Sequence, residues 1–203
     1  MTRNFIDYGI DLGTTNSCIA LFENGEAKVI KKGYSDDYIP SVVGYDRQGS
    51  INVGLSAKGK LDIDPENTFS EFKLQMGTDW NVNVPNGNCL VTPVDLSAEV
   101  LKALKGIVQN SPGINEDVSA AVITVPAAFG AAQYEATRQA AQKAGILLSP
   151  LLQEPIAAAL AYGFERVGQK GFWLVYDFGG GTFDAAINET PRGRAARYQK
   201  SRS

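Results

Sequence analysis

The chain has no histidine, and its only cysteines are Cys18 and Cys89. Without histidine there is no His-ligated zinc, and two thiolates do not make a zinc cage. Two cysteines in 203 residues are not a disulfide framework, which points to a reducing cytosol and a cytoplasmic protein. No apolar run reaches the roughly 18 residues of a membrane span. Asp7 and Asp11 interrupt the opening "MTRNFIDYGIDLGTT", so it carries no signal-peptide core. Basic charge is not in excess. The net charge of -3 argues against general nucleic-acid binding. Any catalysis must use carboxylates, Lys, Thr, Ser or a borrowed metal ion.

What is present has clear periodicity. "FIDYGIDL" (5–12) alternates, with Ile6, Tyr8, Ile10 and Leu12 on one face, a strand signal. "SCIALF" (17–22) and "EAKVIKK" (26–32) read as strands joined at Asn24-Gly25, a pair suited to a tight hairpin turn. "YIPSVVGY" (38–45) and "INVG" (51–54) suggest another hairpin. "ENTFSEFKLQMG" (66–77) reads as a short helix ending at Gly77. "DLSAEVLKALKGIVQN" (95–110) reads as a helix capped by Asp95 or Ser97, with Val100, Leu101, Leu104, Ile107 and Val108 as its apolar stripe.

The second half alternates strands and helices. "VSAAVITVP" (118–126) suits a strand buried on both faces. "GAAQYEATRQAAQKAG" (130–145) is a helix with an alanine ridge at 132, 136, 140 and 144, and Gly145 is its expected C-terminal cap. "EPIAAALAYGF" (154–164) is a second alanine-rich helix with Pro155 in its first turn. "GFWLVYDF" (171–178) and "TFDAAIN" (182–188) are the last strands. Residues 188–203 carry Arg192, Arg194, Arg197, Lys200 and Arg202 without apolar period, and read as a basic, disordered tail.

Two segments echo each other. "GIDLGTTNSC" (9–18) and "VYDFGGGTFD" (175–184) each run apolar strand, Asp, any residue, Gly, then Gly or Thr, then a return strand. Such an internal repeat suggests two similar half-folds facing one another. Glycine lets backbone approach a phosphate, consecutive turn amides form an anion-binding nest, and Thr hydroxyls add donors. An Asp at a strand end can hold the water shell of Mg²⁺. Neither GxxxxGK[ST] nor GxGxxG occurs in these loops. A lone Asp-x-Gly is ordinarily only a turn. Two matched loops favour a nucleoside triphosphate instead.

"IDLGTTNSCIA", "VITVPAAF", "EPIAAALAYG" and "VYDFGGGTFD" together resemble the ATPase domain of the heat-shock protein 70 (DnaK-type) chaperones, in order and at similar spacing, over about residues 5–187. The resemblance implies an α/β, ribonuclease-H-like lobe of the actin-like ATPase fold. Its mixed five-stranded sheet would carry flanking helices and a smaller inserted subdomain at about residues 38–112. It implies ATP or ADP with Mg²⁺. Asp11 and Asp177 would hold the metal through water. Gly13, Thr14, Thr15 and Asn16 would form the first phosphate loop, and Gly179, Gly180, Gly181 and Thr182 the second. Lys73 matches the family lysine that reaches the γ-phosphate, and Glu154 the catalytic carboxylate near the attacking water. Asp177 and Thr182 belong to the same catalytic set. Pro126 matches a proline that relays nucleotide state to the peptide-binding domain. Implied partners are client peptides, J-domain co-chaperones and nucleotide-exchange factors. On the residues alone, Lys73 would be a solvated lysine, and Glu154 a helix N-terminal carboxylate favoured by the dipole.

The chain also departs from the family pattern. Tyr134 stands where Arg commonly follows the Gln, and Ala128 where an aromatic is usual. The matching stretch is lobe I plus the first hairpin of lobe II. The 203-residue polypeptide is therefore expected to bind ATP weakly or not at all, with hydrolysis near background. The competing readings are a non-catalytic lobe that acts as an interaction module, and an actin-like or sugar-kinase-like ATPase.

Overall fold

The computed structural model describes residues 6–31, 37–114, 116–162, 172–178 and 183–189. In the last two segments, side chains are described for 174–176 and 185–187. The chain opens with β1 (Tyr8–Leu12), β2 (Asn16–Glu23) and β3 (Glu26–Val29), paired antiparallel. Asn24 and Gly25 take φ of 55° and 84°, the left-handed pair that a tight hairpin between right-twisted strands demands. Tyr8, Ile10 and Leu12 are buried and Gly9 and Asp11 exposed, as the alternation requires.

"YIPSVVGY" does not form one strand. β4 (Ile39–Pro40) pairs with β2, while β5 (Val43–Tyr45) pairs with β6 (Ile51–Val53) and β7 (Thr68–Phe69) in a separate three-stranded sheet. The chain changes sheets at Ser41-Val42, both buried. A short helix α1 (Leu55–Lys58) follows β6. The helix expected over 66–77 is also absent. Two 3₁₀ turns, Pro65–Asn67 and Phe72–Gln75, flank β7, and Glu71 between them is left-handed at φ 56°. That residue cannot sit inside a right-handed helix. β8 (Val82–Val84) and β9 (Cys89–Val91) make a small hairpin.

Helix α2 (Pro93–Gln109) begins two residues before the expected Asp95, because its cap is Thr92. Thr92 accepts the Asp95 amide, and the Asp95 carboxylate accepts the Thr92 amide. This reciprocal box satisfies donors that the first turn leaves open. Val100, Leu101, Leu104 and Val108 are almost fully buried. β10 (Val122–Val125) then runs parallel to β1, and α3 (Ala131–Lys143) leads to β11 (Leu151–Gln153), parallel to β10. The ridge residues Ala136, Ala140 and Ala144 are buried, while Ala132 is exposed. Gly145, at φ 76°, ends α3: its amide donates to Gln142 and that of Ile146 to Ala141.

The main sheet thus runs β11-β10-β1-β2-β3, with β4 added beside β2. One apolar cluster joins Ile10, Ile19 and Ile123 of this sheet to Leu101 and Leu104 of α2 and Ala140 of α3. Val43 and Val84 of the smaller sheets belong to it as well. Helix α4 (Glu154–Ala161) starts where β11 ends. β12 (Phe172–Phe178) and β13 (Phe183–Glu189) form an antiparallel hairpin, with β13 running past the expected end at 188. The end of the helix expected to reach 164, and the tail from 190, lie outside the described residues.

Candidate functional site

Three parallel strands deliver the candidate residues to one edge of the main sheet. Asp11 lies near the end of β1, Thr124 near the end of β10, and Gln153 ends β11 directly before Glu154. Parallel strands with αβ crossovers place loops and helix starts together at their carboxyl ends, where open α/β sheets bind ligands. Thr124 Oγ1 donates to Asp11 Oδ1 at 2.8 Å. Asp11 is exposed, so the rest of its carboxylate faces solvent. Cys18, opposite Asp11 on β2, has its thiol pushed up from 9.0, by burial first and by the Asp11 charge second.

The first glycine loop leaves β1 at Gly13. A Cβ there would lie 2.1 Å from the Asn16 carbonyl oxygen, so only glycine fits. Gly13 donates its N–H to Ser17 Oγ at 3.1 Å and accepts from Ser41 Oγ at 2.8 Å. Thr14 is buried, Thr15 half-buried and Asn16 exposed, so the loop grades outward along its length.

Lys73 and Glu154 meet. The ammonium donates to Glu154 Oε1 at 2.8 Å, with side-chain exposures of 7% and 16%. The expectation of a solvated Lys73 is overturned, because its 3₁₀ turn packs inward. Lys73 Nζ also stands 5.8 Å from the centre of the Phe129 ring, within cation–π range. Gly77 closes this turn at φ 75°, and a Cβ on it would come 2.8 Å from Gln133 N of α3. Glycine therefore lets the lysine turn dock on the start of α3. From the same turn of α3, the Tyr134 hydroxyl accepts from Gln153 Nε2 at 3.3 Å, beside Glu154.

The second loop is reached only by its strands. In the β12–β13 hairpin, Asp177 pairs with Asp184 and Phe178 with Phe183. Gly179, Gly180, Gly181, Thr182 and the Asp177 side chain lie outside the described residues. Pro126 is buried just after β10, and its carbonyl accepts the Phe129 amide at 3.2 Å.

The donor set fits the expected ligands. The exposed carboxylate of Asp11 suits Mg²⁺, which sheds water reluctantly and is commonly held through it. No group of three or more His, Cys, Asp or Glu side chains able to hold a metal occurs among the described residues. The steric requirement for glycine at 13 marks a tight turn at the end of β1, the kind of backbone from which an amide nest can be built. An ammonium has three N–H donors, so Lys73 keeps donors beyond the one given to Glu154.

Sequence reasoning missed Ser17, Ser41 and Thr124, and read Gly77 only as the end of a helix. Ser17 was in part accessible, since period-two alternation places it on the inward face with Ile19. Ser41 and Thr124 act across strand neighbours that only the tertiary fold creates.

The sequence model of the family described as Hsp70 protein matches residues 7–196, and so continues beyond residue 187, where the motif resemblance ended. No helix among the described residues is long and apolar enough to cross a membrane. With the first glycine loop and β10 seated on the mixed sheet and the match covering residues 7–196 of 203, the chain belongs to the Hsp70 protein family.

Proposed function

We propose that this chain holds the phosphate and metal side of an Hsp70-type ATPase site. The observation that carries the reading is the buried contact at 2.8 Å between Lys73 and Glu154, side chains with no local reason to meet. A lysine and a glutamate held largely out of water cost desolvation that a purely structural contact need not incur. Beside them, one sheet edge carries Asp11 and the Gly13 loop.

When bound, MgATP supplies the phosphoanhydride and the metal charge. The chain's residues would then divide the work. Thr14, Thr15 and Asn16 would border the phosphates, and Asp11 would hold the metal through water. Lys73 faces the γ-phosphate with its remaining N–H donors. Glu154 accepts a hydrogen bond from the attacking water and orients it in line, as positioning and electrostatics dominate phosphoryl transfer. Asp177 and Thr182 would complete the second clamp with Gly179, Gly180 and Gly181. Pro126 would pass nucleotide state outward. Client peptides, J-domain proteins and exchange factors are the partners this reading carries.

The polypeptide alone is proposed to bind nucleotide weakly, so the test must detect millimolar affinity. Titration with MgADP should move the amide resonances of Thr14 and Thr15 saturably, and leave Ile63, 81% exposed between α1 and β7, unmoved. Gly13→Ala should abolish the response. A chain whose loop resonances ignore millimolar MgADP would overturn the reading.

One observation favours the interaction-module reading. Leu174, Tyr176 and Ile187 share one face of the β12–β13 hairpin and are all more than half exposed. Such apolar clustering marks docking surfaces.

A further inference from the structure

Two buried serines close a ring of hydrogen bonds around Gly13. Ser17 and Ser41 are 1% and 2% exposed, and their hydroxyl oxygens lie 2.9 Å apart. Proton bookkeeping sets the direction of every bond. A serine hydroxyl has one proton to donate. Ser41 spends its proton on the Gly13 carbonyl at 2.8 Å. The Ser17–Ser41 contact must therefore use the Ser17 proton. Ser17 then accepts the Gly13 N–H on a lone pair, at 3.1 Å. The cycle runs Gly13 N–H to Ser17, Ser17 to Ser41, and Ser41 back to Gly13 C=O. A fourth bond, Ser41 N–H to the Thr15 carbonyl at 2.8 Å, pins the far side of the loop.

We propose that Ser17 and Ser41 are positioning residues that hold the first phosphate loop in its binding shape before nucleotide arrives. The nucleotide part of this proposal rests on the function proposed above. Ser17 comes from the start of β2, and Ser41 from the point where the chain changes sheets. The loop is thus fastened to two sheets through one pair of hydroxyls. Both backbone groups of Gly13 are engaged, so neither is spent on phosphate. Gly13 contributes shape, because a Cβ would meet the Asn16 carbonyl oxygen at 2.1 Å. The amides left to face phosphate would be those of Thr14 and Thr15. A loop already ordered loses less entropy on binding, which raises affinity without any new ligand contact.

Amide hydrogen exchange on the 203-residue chain without nucleotide tests the ring directly. In the wild type, the Gly13 amide should exchange at least about tenfold more slowly than those of Thr14 and Thr15, about the factor one buried hydrogen bond provides. Ser17→Ala should speed Gly13 exchange by about tenfold while the β1–β2 ladder amides keep their protection. Ser41→Ala leaves the Ser17 acceptor in place but removes the donor to the Gly13 carbonyl and the acceptor that orients Ser17, so it should speed Gly13 exchange by a smaller factor, and serves if the first variant fails to fold. Wild-type Gly13 exchanging as fast as Thr14 would overturn the proposal. So would a loss of protection spread evenly over β1 and β2, the mark of global weakening. Millimolar MgADP should then protect Thr14 and Thr15 and leave Gly13 unchanged. If it protects neither while Gly13 behaves as expected, the serine ring stands and the nucleotide reading fails.

Discussion

Lys73 and Glu154 lie 81 positions apart in the chain and meet at 2.8 Å in surroundings that expose only 7% and 16% of their side chains. One partner arrives on a 3₁₀ turn and the other opens a helix. Their stability consequences are therefore asymmetric. Glu154→Ala leaves a buried ammonium without its carboxylate, and should cost about 3 kcal/mol. Lys73→Met leaves a carboxylate at the α4 N-terminus, where the helix dipole favours it, and should cost about 1 kcal/mol. The Lys73→Met/Glu154→Ala double variant should cost no more than Glu154→Ala alone. Urea unfolding of the four proteins checks this, and additive losses would mean that the pair is not coupled.

Gly77 is held by sterics as well as by its backbone angle. At φ 75° any side chain is strained, and a Cβ would also meet Gln133 N at 2.8 Å and the Ala132 carbonyl carbon at 2.9 Å. Gly25 shares the left-handed geometry at φ 84°, but a Cβ there meets nothing within 4 Å. Gly25→Ala should thus cost only the left-handed strain, about 1 kcal/mol. Gly77→Ala should cost more than about 3 kcal/mol, since helix α3 must also move. Thermal unfolding of the two variants measures the difference, and equal losses would refute the close docking of the lysine turn on α3.

Asp95 gives a pH dependence of known sign. Burial opposes its ionisation, but hydrogen bonds from Lys143 and Thr92, with the Lys143 charge, outweigh it and hold the carboxyl below its ordinary 3.8. A carboxyl lowered on folding stabilises the protein above its unfolded value, and that stability fades as pH falls through the folded value. The wild type should therefore be more stable than Asp95→Asn at neutral pH, and the gap should narrow below about pH 3.8. Thr92→Ala should cost about 1 kcal/mol at neutral pH. Urea midpoints across the acid range check both. A gap that stays constant into acid would mean that Asp95 does not titrate differently on folding.

Much of this fold was legible in the sequence. The alternation of Tyr8, Ile10 and Leu12, the Asn24-Gly25 turn and the α2 stripe are local patterns, and the described residues carry each of them. The last two strands could be read in the same way, and they pair antiparallel. Errors arose where tertiary pairing overrode local pattern. "ENTFSEFKLQMG" has helical spacing, yet Thr68 and Phe69 are claimed as an edge strand by β5, and Glu71 turns left-handed to bring Lys73 inward. "YIPSVVGY" looks like one strand, yet its two ends are drawn to different sheets.

The sequence by itself determined most of the elements, the tight turn at Asn24-Gly25, and the family to which the motifs belong. These are short-range properties: side-chain period, backbone freedom and the order of residue types. Only the tertiary structure decided that Lys73 is buried against Glu154, that Thr124 reaches Asp11, and that Ser17 and Ser41 encircle Gly13. A lysine's burial and a hydroxyl's partner depend on which distant strands become neighbours, and no local pattern specifies that.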